Sequence, residues 1–200
     1  MLTVFHSPQS RSTSVIALLN ALDAIDQVKI EIVTITRQDG TGARDPRNPH
    51  PDGKVPLLMD GEAAIWERSA IFQYLADRFP QAGLNVPVGH PLRGTYLSWL
   101  AWYGGVMEPV MVLEAAELQH PFITGTFRSS TEMKARLAQA LTEQPFLVGE
   151  RPTAADLLLH SPFAWFGKPG VPAIDAWVDR CMALPGAAYA KAFDEEHALA

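Results

Sequence analysis

Gly53-Lys54-Val55-Pro56-Leu57-Leu58-Met59-Asp60-Gly61-Glu62-Ala63-Ala64-Ile65-Trp66 decides how the first half of this 200-residue chain is built. The apolar run Val55 to Met59 reads as a strand. Asp60-Gly61 supplies the positive backbone angles of a tight turn, and Ala63 to Trp66 returns as a second strand. Pro56 sits at the start of the first of these strands, a place where a missing N–H is tolerated. A helix follows from about Glu67 to Phe79, because Ile71, Leu75 and Phe79 repeat every four residues, and Pro80 stops it. Upstream, Thr36 to Gly53 is polar and holds Gly40, Gly42, Pro46, Pro49 and Pro51, which predicts an irregular connection without a long helix. Before it, Leu2 to His6 and Val28 to Ile35 read as strands around a helix from about Ser12 to Ala24. That helix is marked by Val15, Leu18, Leu19 and Leu22, behind serines able to cap its first turn. The order is therefore βαβ, irregular connection, β-hairpin, α.

Downstream the texture changes at residues 80–91, where three prolines and two glycines between Pro80 and Pro91 read as a linker. Beyond it the pattern is helical, over Arg93 to about Leu118, Thr131 to Leu141, Ala154 to Trp165 and Val171 to Met182. Pro109 predicts a kink in the first of these, and Gly104-Gly105 thins it. The expected organisation is an α/β domain over 1–79, a linker over 80–91 and an all-α domain over 92–200.

Composition narrows the function classes. An apolar fraction of 48% can build a core, and no run of apolar residues is long enough to span a bilayer, so neither disorder nor a membrane span is expected. A net charge of -6 with scattered Lys and Arg speaks against nucleic acid as a partner. A single cysteine, Cys181, excludes disulfides, a CxxC redox pair and a Cys-rich zinc site, and reads as a buried apolar filler. The six histidines are dispersed without a His-x-x-x-His pair, so no metal site is expected. Met1 to Leu22 lacks a basic stretch followed by a compact apolar segment, and a cytoplasmic location is expected.

With its proline at the start of the third strand, the N-terminal order resembles a thioredoxin-like domain. Followed by an all-α domain, the whole chain is similar to the cytosolic glutathione transferase superfamily, in the bacterial type with a serine at the active-site turn. Four segments carry the resemblance. Ser7-Pro8-Gln9-Ser10-Arg11-Ser12-Thr13-Ser14-Val15 looks like the strand-to-helix turn where family members keep a catalytic hydroxyl or thiol; only hydroxyls stand here. The resemblance implies Ser10 as the catalytic hydroxyl, with Ser12 as the alternative, and a helix-capping role competes for each. Gly53-Lys54-Val55-Pro56 matches the loop whose proline is cis in the family, which implies that the Val55 backbone pairs with glutathione and that Lys54 meets a carboxylate. Trp66-Glu67-Arg68-Ser69-Ala70-Ile71 resembles a Glu-Ser-x-Ala-Ile motif. It implies Glu67 for the γ-glutamyl amine, while Arg68 replaces the family's serine and, with Ser69, is left to bind the glutamyl carboxylate. Phe146-Leu147-Val148-Gly149-Glu150-Arg151-Pro152-Thr153-Ala154-Ala155-Asp156 is close to the family's C-domain signature, with Thr153 and Asp156 spaced as a capping box.

The same resemblance implies a cleft lined by Trp99, Tyr103 and Met107, with Trp102 and Val106 nearby, for an apolar co-substrate, against the alternative that these residues are core. His6 reads as a strand-end histidine with a structural hydrogen bond or an aid in orienting ligand, and His50 as a contact for the glycyl end. The expectation is a homodimeric glutathione transferase with no permanently bound cofactor, joining glutathione as co-substrate to a small apolar electrophile. A glutathione-dependent isomerase, etherase or dehalogenase, or a non-catalytic binding protein of the same fold, are the alternatives.

Overall fold

A computed structural model describes residues 1–198 of the chain. Among them, the N-terminal unit is built on a mixed four-stranded sheet of β1 (Leu2–His6), β2 (Lys29–Ile32), β3 (Leu57–Asp60) and β4 (Ala63–Ile65), in the order β2-β1-β3-β4. Central β1 runs parallel to β2, with His6 opposite Ile32, and antiparallel to β3, with Phe5 opposite Leu57. The parallel pair needs a crossover. Helix α1 (Thr13–Ala21) provides it, burying Val15, Ile16, Leu18 and Leu19. Helix α2 (Arg68–Arg78) follows the hairpin and packs on α1 through a face that includes Ile71, Phe72, Leu75 and Ala76. The Tyr74 hydroxyl ties α2 to the end of β3 by donating to Asp60 Oδ2 at 2.6 Å. A second cluster, Phe5, Val33, Val55 and Leu57, gathers Ile35 and Met59 around it.

The thioredoxin-like order is thus as expected, including the absence of a long helix between β2 and β3. That connection is held by polar groups. Asp45 accepts from the Arg47 guanidinium at 2.7 and 3.1 Å and from its backbone N–H at 2.9 Å, and Arg47 reaches back to the Ile32 carbonyl at 3.0 Å.

The helical unit begins at Leu84, inside the stretch expected as linker, since Leu84 and Val86 are buried and the Leu84 carbonyl accepts from Ala154 N–H. It holds α3 (Arg93–Trp102), α4 (Glu108–Ala115), α5 (Pro121–Phe127), α6 (Ser130–Ala140), α7 (Ala154–Leu159), α8 (Ser161–Phe166) and α9 (Pro172–Met182). Two helices expected as continuous are divided, each by a proline. Between α3 and α4 the chain widens into a π-helical turn, Tyr103–Met107, where Glu108 N–H bonds the Tyr103 carbonyl five residues back. Pro109 has no N–H for the carbonyl four residues before it, and the wider turn absorbs the mismatch where a kink was expected. Between α7 and α8, Pro162 leaves the Leu158 carbonyl without its helical donor, and the Ser161 hydroxyl takes over at 2.7 Å.

Two helices, α5 and the last one, were absent from the sequence reading. The last, α10 (Pro185–Glu196), also corrects the domain boundary: the C-terminal stretch from Met182 onward groups with Met1–Gly83, not with the helical unit. Its partner there is α1. Gly186 makes the approach possible, because a Cβ at that position would lie 2.2 Å from the Ala17 carbonyl oxygen.

Candidate active site

Strand β1 delivers His6 to its carboxyl end, and the chain then turns through Ser7 to Ser12 into α1. The carboxyl ends of strands are where open α/β sheets leave room for ligands. Gln9 takes φ 54° in this turn, which sends its N–H inward to Asp194 Oδ2 of α10 at 2.6 Å. Arg37 clamps the turn from the other side, donating to the Gln9 and Pro8 carbonyls at 2.8 and 2.9 Å.

The two candidate serines stand in different surroundings. Ser12 is fully buried; its Oγ lies 2.7 Å from His6 Nδ1 and 2.7 Å from Ser10 Oγ, accepts Ser7 N–H at 3.1 Å and has the Ser7 carbonyl at 3.2 Å. Its hydrogen-bonding capacity is spent within the turn. Ser10 is partly exposed, and its Oγ meets Ser12 Oγ and Ser12 N–H, the latter at 3.2 Å. Of the two, Ser10 is the hydroxyl left partly open, two residues before the N-cap of α1, where the helix favours negative charge. Arg11 is exposed beside it.

Behind Ser12 lies a group of residues that the sequence did not bring together. His6 is fully buried, and its Nε2 is 3.0 Å from Asp194 Oδ1, a close contact too bent for an aligned hydrogen bond. Asp194 Oδ2 also accepts the Thr13 hydroxyl at 2.6 Å. Burial pushes the Asp194 carboxyl up, but His6, Thr13 and the Gln9 N–H together outweigh it and hold the group below the usual carboxylate range. Phe193, one residue earlier on α10, sets its ring edgewise to His6 at 5.7 Å.

The other predicted positions gather at the hairpin and α2. Val55-Pro56 is cis, and Val55 is buried just before the first ladder pair of β3, Phe5 with Leu57. Lys54 is exposed, and its carbonyl accepts Asn48 Nδ2 at 2.9 Å. His50 is buried, with its Nδ1 engaged by Asp52 N–H at 3.0 Å, so that nitrogen is structural. Glu67 caps α2 with φ 66° and ψ 124°, a conformation that costs a non-glycine residue about 1–3 kcal/mol and is characteristic of functional sites. It holds its carboxylate exposed beside the half-buried Arg68 and Ser69, which open the helix.

In the helical unit the expected pocket residues are corrected. Trp99, Tyr103 and Met107 are 8, 1 and 0% exposed and belong to the core, whereas Val106 and Trp102, whose ring meets Trp99 edgewise at 5.3 Å, stay partly open. A stripe at helical spacing buries one face, and the three residues share it. Cys181 is buried as expected, and burial pushes its thiol far up, so it is unreactive. Among the described residues no cluster of His, Cys, Asp and Glu could hold a metal ion, and no helix is long and apolar enough to cross a membrane.

Comparison with known proteins places this geometry in context. Residues 4–83 match the glutathione S-transferase N-terminal domain family, and residues 127–185 match the corresponding C-terminal domain family. The chain is 31% identical over 122 residues to glutathione S-transferase GstA of Escherichia coli O157:H7, a match covering 58% of this chain and 59% of that relative's own length. In fold it is similar to a glutathione S-transferase from Actinobacillus pleuropneumoniae, with a TM-score of 0.80 and 24% identity over 98% of this chain and 93% of the other. It is likewise similar to the theta class enzyme of Xanthomonas axonopodis pv. citri, solved with glutathione bound, with a TM-score of 0.69 and 25% identity over 93% of this chain and 94% of the other.

Proposed function

Because the chain belongs to the glutathione transferase superfamily, which both its N-terminal and its C-terminal domain match, we propose that it is a glutathione transferase whose thiolate is held by Ser10. The observation that carries this reading is the conjunction, in one unit, of a partly exposed hydroxyl at the start of α1, the cis Val55-Pro56 step and the strained Glu67 cap of α2.

A free thiol ionises near pKa 8.5, so presenting it as thiolate at neutral pH requires roughly 2.7 kcal/mol of preferential stabilisation for a two-unit shift. One hydrogen bond from Ser10 and the positive end of α1 are of that size together. In this reading the Val55 backbone pairs with the cysteinyl portion of the tripeptide like an added strand, Lys54 meets a carboxylate, and Glu67 receives the γ-glutamyl amine. Arg68 and Ser69 hold the glutamyl carboxylate with the N–H groups that open α2. The electrophile is small and apolar. Glutathione serves as co-substrate, no cofactor is held permanently, and the enzyme acts as a cytoplasmic homodimer, which sedimentation tests.

Isothermal titration with glutathione, run beside a thiolate absorbance titration, tests the core of the proposal. Saturable binding with a thiol that ionises well below its free value supports it, and no binding at millimolar ligand overturns it. A panel of halogenated, ether and isomerisable substrates then separates conjugation from release of halide or phenol.

A further inference from the structure

The hydroxyls of the turn end on a buried base. Asp194 Oδ1, His6 Nε2, His6 Nδ1, Ser12 Oγ and Ser10 Oγ form one continuous line, with steps of 3.0 Å from carboxylate to imidazole and 2.7 Å for each of the two contacts from imidazole to Ser12 and from Ser12 to Ser10. We infer that this line is a proton relay in which the thiol's proton passes through Ser10 and Ser12 to His6, beside Asp194. The inference rests on the reading that Ser10 faces the sulfur of glutathione.

Proton counting gives the relay its direction. Ser12 has one proton, for which His6 Nδ1 at 2.7 Å and the Ser7 carbonyl at 3.2 Å compete, and its Oγ already accepts Ser7 N–H. When His6 is neutral with its proton on Nε2 toward Asp194, Nδ1 accepts the Ser12 proton, Ser12 accepts the Ser10 proton, and the Ser10 hydroxyl points inward. Such a hydroxyl offers an incoming thiol only lone pairs. The thiol S–H therefore donates to Ser10 Oγ, and three protons move one step each: S–H to Ser10, Ser10 to Ser12, Ser12 to Nδ1. No proton is gained or lost. The product is a thiolate that receives the O–H of Ser10, a Ser12 hydroxyl turned toward Ser10, and an imidazolium. The imidazolium forms next to a carboxylate, so the buried pair becomes neutral as the thiolate appears.

Among the described residues, the charged group recorded against His6 is Asp194. From α1 it meets Ser12 and, through Asp194, Thr13; from β2 its ladder partner is Ile32, and Glu31 beside it pairs with Lys29. From α10 it meets Asp194 and the Phe193 ring, on which His197 stacks at 4.1 Å, and Lys191, Glu195 and Glu196 are exposed. His6 and Asp194 touch no ligand in this scheme. They are positioning residues that act through Ser12.

A stoichiometric measurement separates the relay from a structural role. The full chain is mixed with saturating glutathione at about pH 7.5 in weak buffer, and protons released to an indicator dye are compared with thiolate formed by ultraviolet absorbance. S-methyl glutathione, which has no thiol, supplies the blank. The relay retains the proton, so release well below about one proton per thiolate is expected for the unmodified protein, rising to about one in His6→Gln and Asp194→Asn. One proton released per thiolate by the unmodified protein overturns the relay while leaving the transferase reading intact. Absence of thiolate overturns that reading and the relay with it. Independently of ligand and of how the variants fold, nitrogen NMR of the His6 ring is expected to show Nε2 protonated and Nδ1 accepting; a ring carrying its proton on Nδ1 with Nε2 bare overturns the proposed order.

Discussion

Ser10 and Ser12 differ by two positions in sequence and by nearly everything in environment. Ser10→Ala removes a hydrogen bond to a charged sulfur, worth about 1.5–3 kcal/mol, so kcat for conjugation is expected to fall on the order of 10- to 100-fold with circular dichroism unchanged. Ser12→Ala instead leaves the buried Ser7 N–H and His6 Nδ1 short of a partner, and urea unfolding is expected to show a loss of about 1–3 kcal/mol. Hydroxyls in the turn were legible in the sequence, but which of them faces outward was not, because burial is a property of the packed turn. Asp45 illustrates the same limit. Its carboxyl is lowered to about 2, first by the Arg47 guanidinium and then by the backbone N–H groups of Arg47 and Thr34. A lowered acid contributes its stability above its ordinary value of 3.8, and that contribution is lost as pH falls from there through about 2. The protection of the Arg47 amide, taken relative to an unprotected amide at the same pH, is therefore expected to hold down to about pH 4 and to fall below it. An amide that is already unprotected at neutral pH would contradict the clamp.

At the scale of elements, two contacts are decisive. Helix α10 lies against α1 only because Gly186 has no Cβ. Gly186→Ala drives a methyl group into the Ala17 carbonyl at 2.2 Å, and since backbone cannot yield as a side-chain tip does, a loss of about 1–3 kcal/mol or more is expected in thermal unfolding. By displacing α10 the same change moves Asp194 from His6, so thiolate formation is expected to weaken as well. In the helical unit, Asp156 closes the capping box of α7 and accepts four hydrogen bonds, from Leu147 N–H, Thr153 N–H, the Thr153 hydroxyl and Trp177 Nε1 at 2.8–3.0 Å. Burial pushes this carboxyl up against those donors. Asp156→Ala strands all four and is expected to cost about 3–5 kcal/mol, read as loss of the cooperative unfolding transition near room temperature. The box was legible from the spacing of Thr153 and Asp156, a local signal. The π-turn at Tyr103–Met107 was legible only as a disturbance at Pro109, because a missing N–H announces that a helix must change without saying how.

For the molecule as a whole, each unit was visible in outline from hydrophobic period and proline placement, but the chain divides twice, once at Leu84 where its texture changes and again at Met182. The N-terminal unit recruits its last helix from the far end of the sequence. A ligand held by the N-terminal unit stabilises the folded state by mass action, so glutathione at about 100 times its dissociation constant is expected to add about 2.7 kcal/mol and to raise the midpoint of thermal unfolding, while S-methyl glutathione should do so less if the thiolate contact carries affinity. An equal shift with both would place the binding energy in the peptide part and not in the Ser10 turn. The sequence by itself determined the elements that depend on local chemistry: strands from alternation and β-type runs, the hairpin from Asp60-Gly61, the stop of α2 at Pro80 and the capping box of α7. Only the tertiary structure decided what depends on groups far apart in the chain. It buried Ser12 and left Ser10 open, moved Trp99, Tyr103 and Met107 into the core, and set Asp194 against His6. The reason is physical: a period or a cap is fixed within a few residues by backbone geometry, whereas the charge that completes a buried histidine can arrive from any element that packing brings beside it, here one 188 positions away.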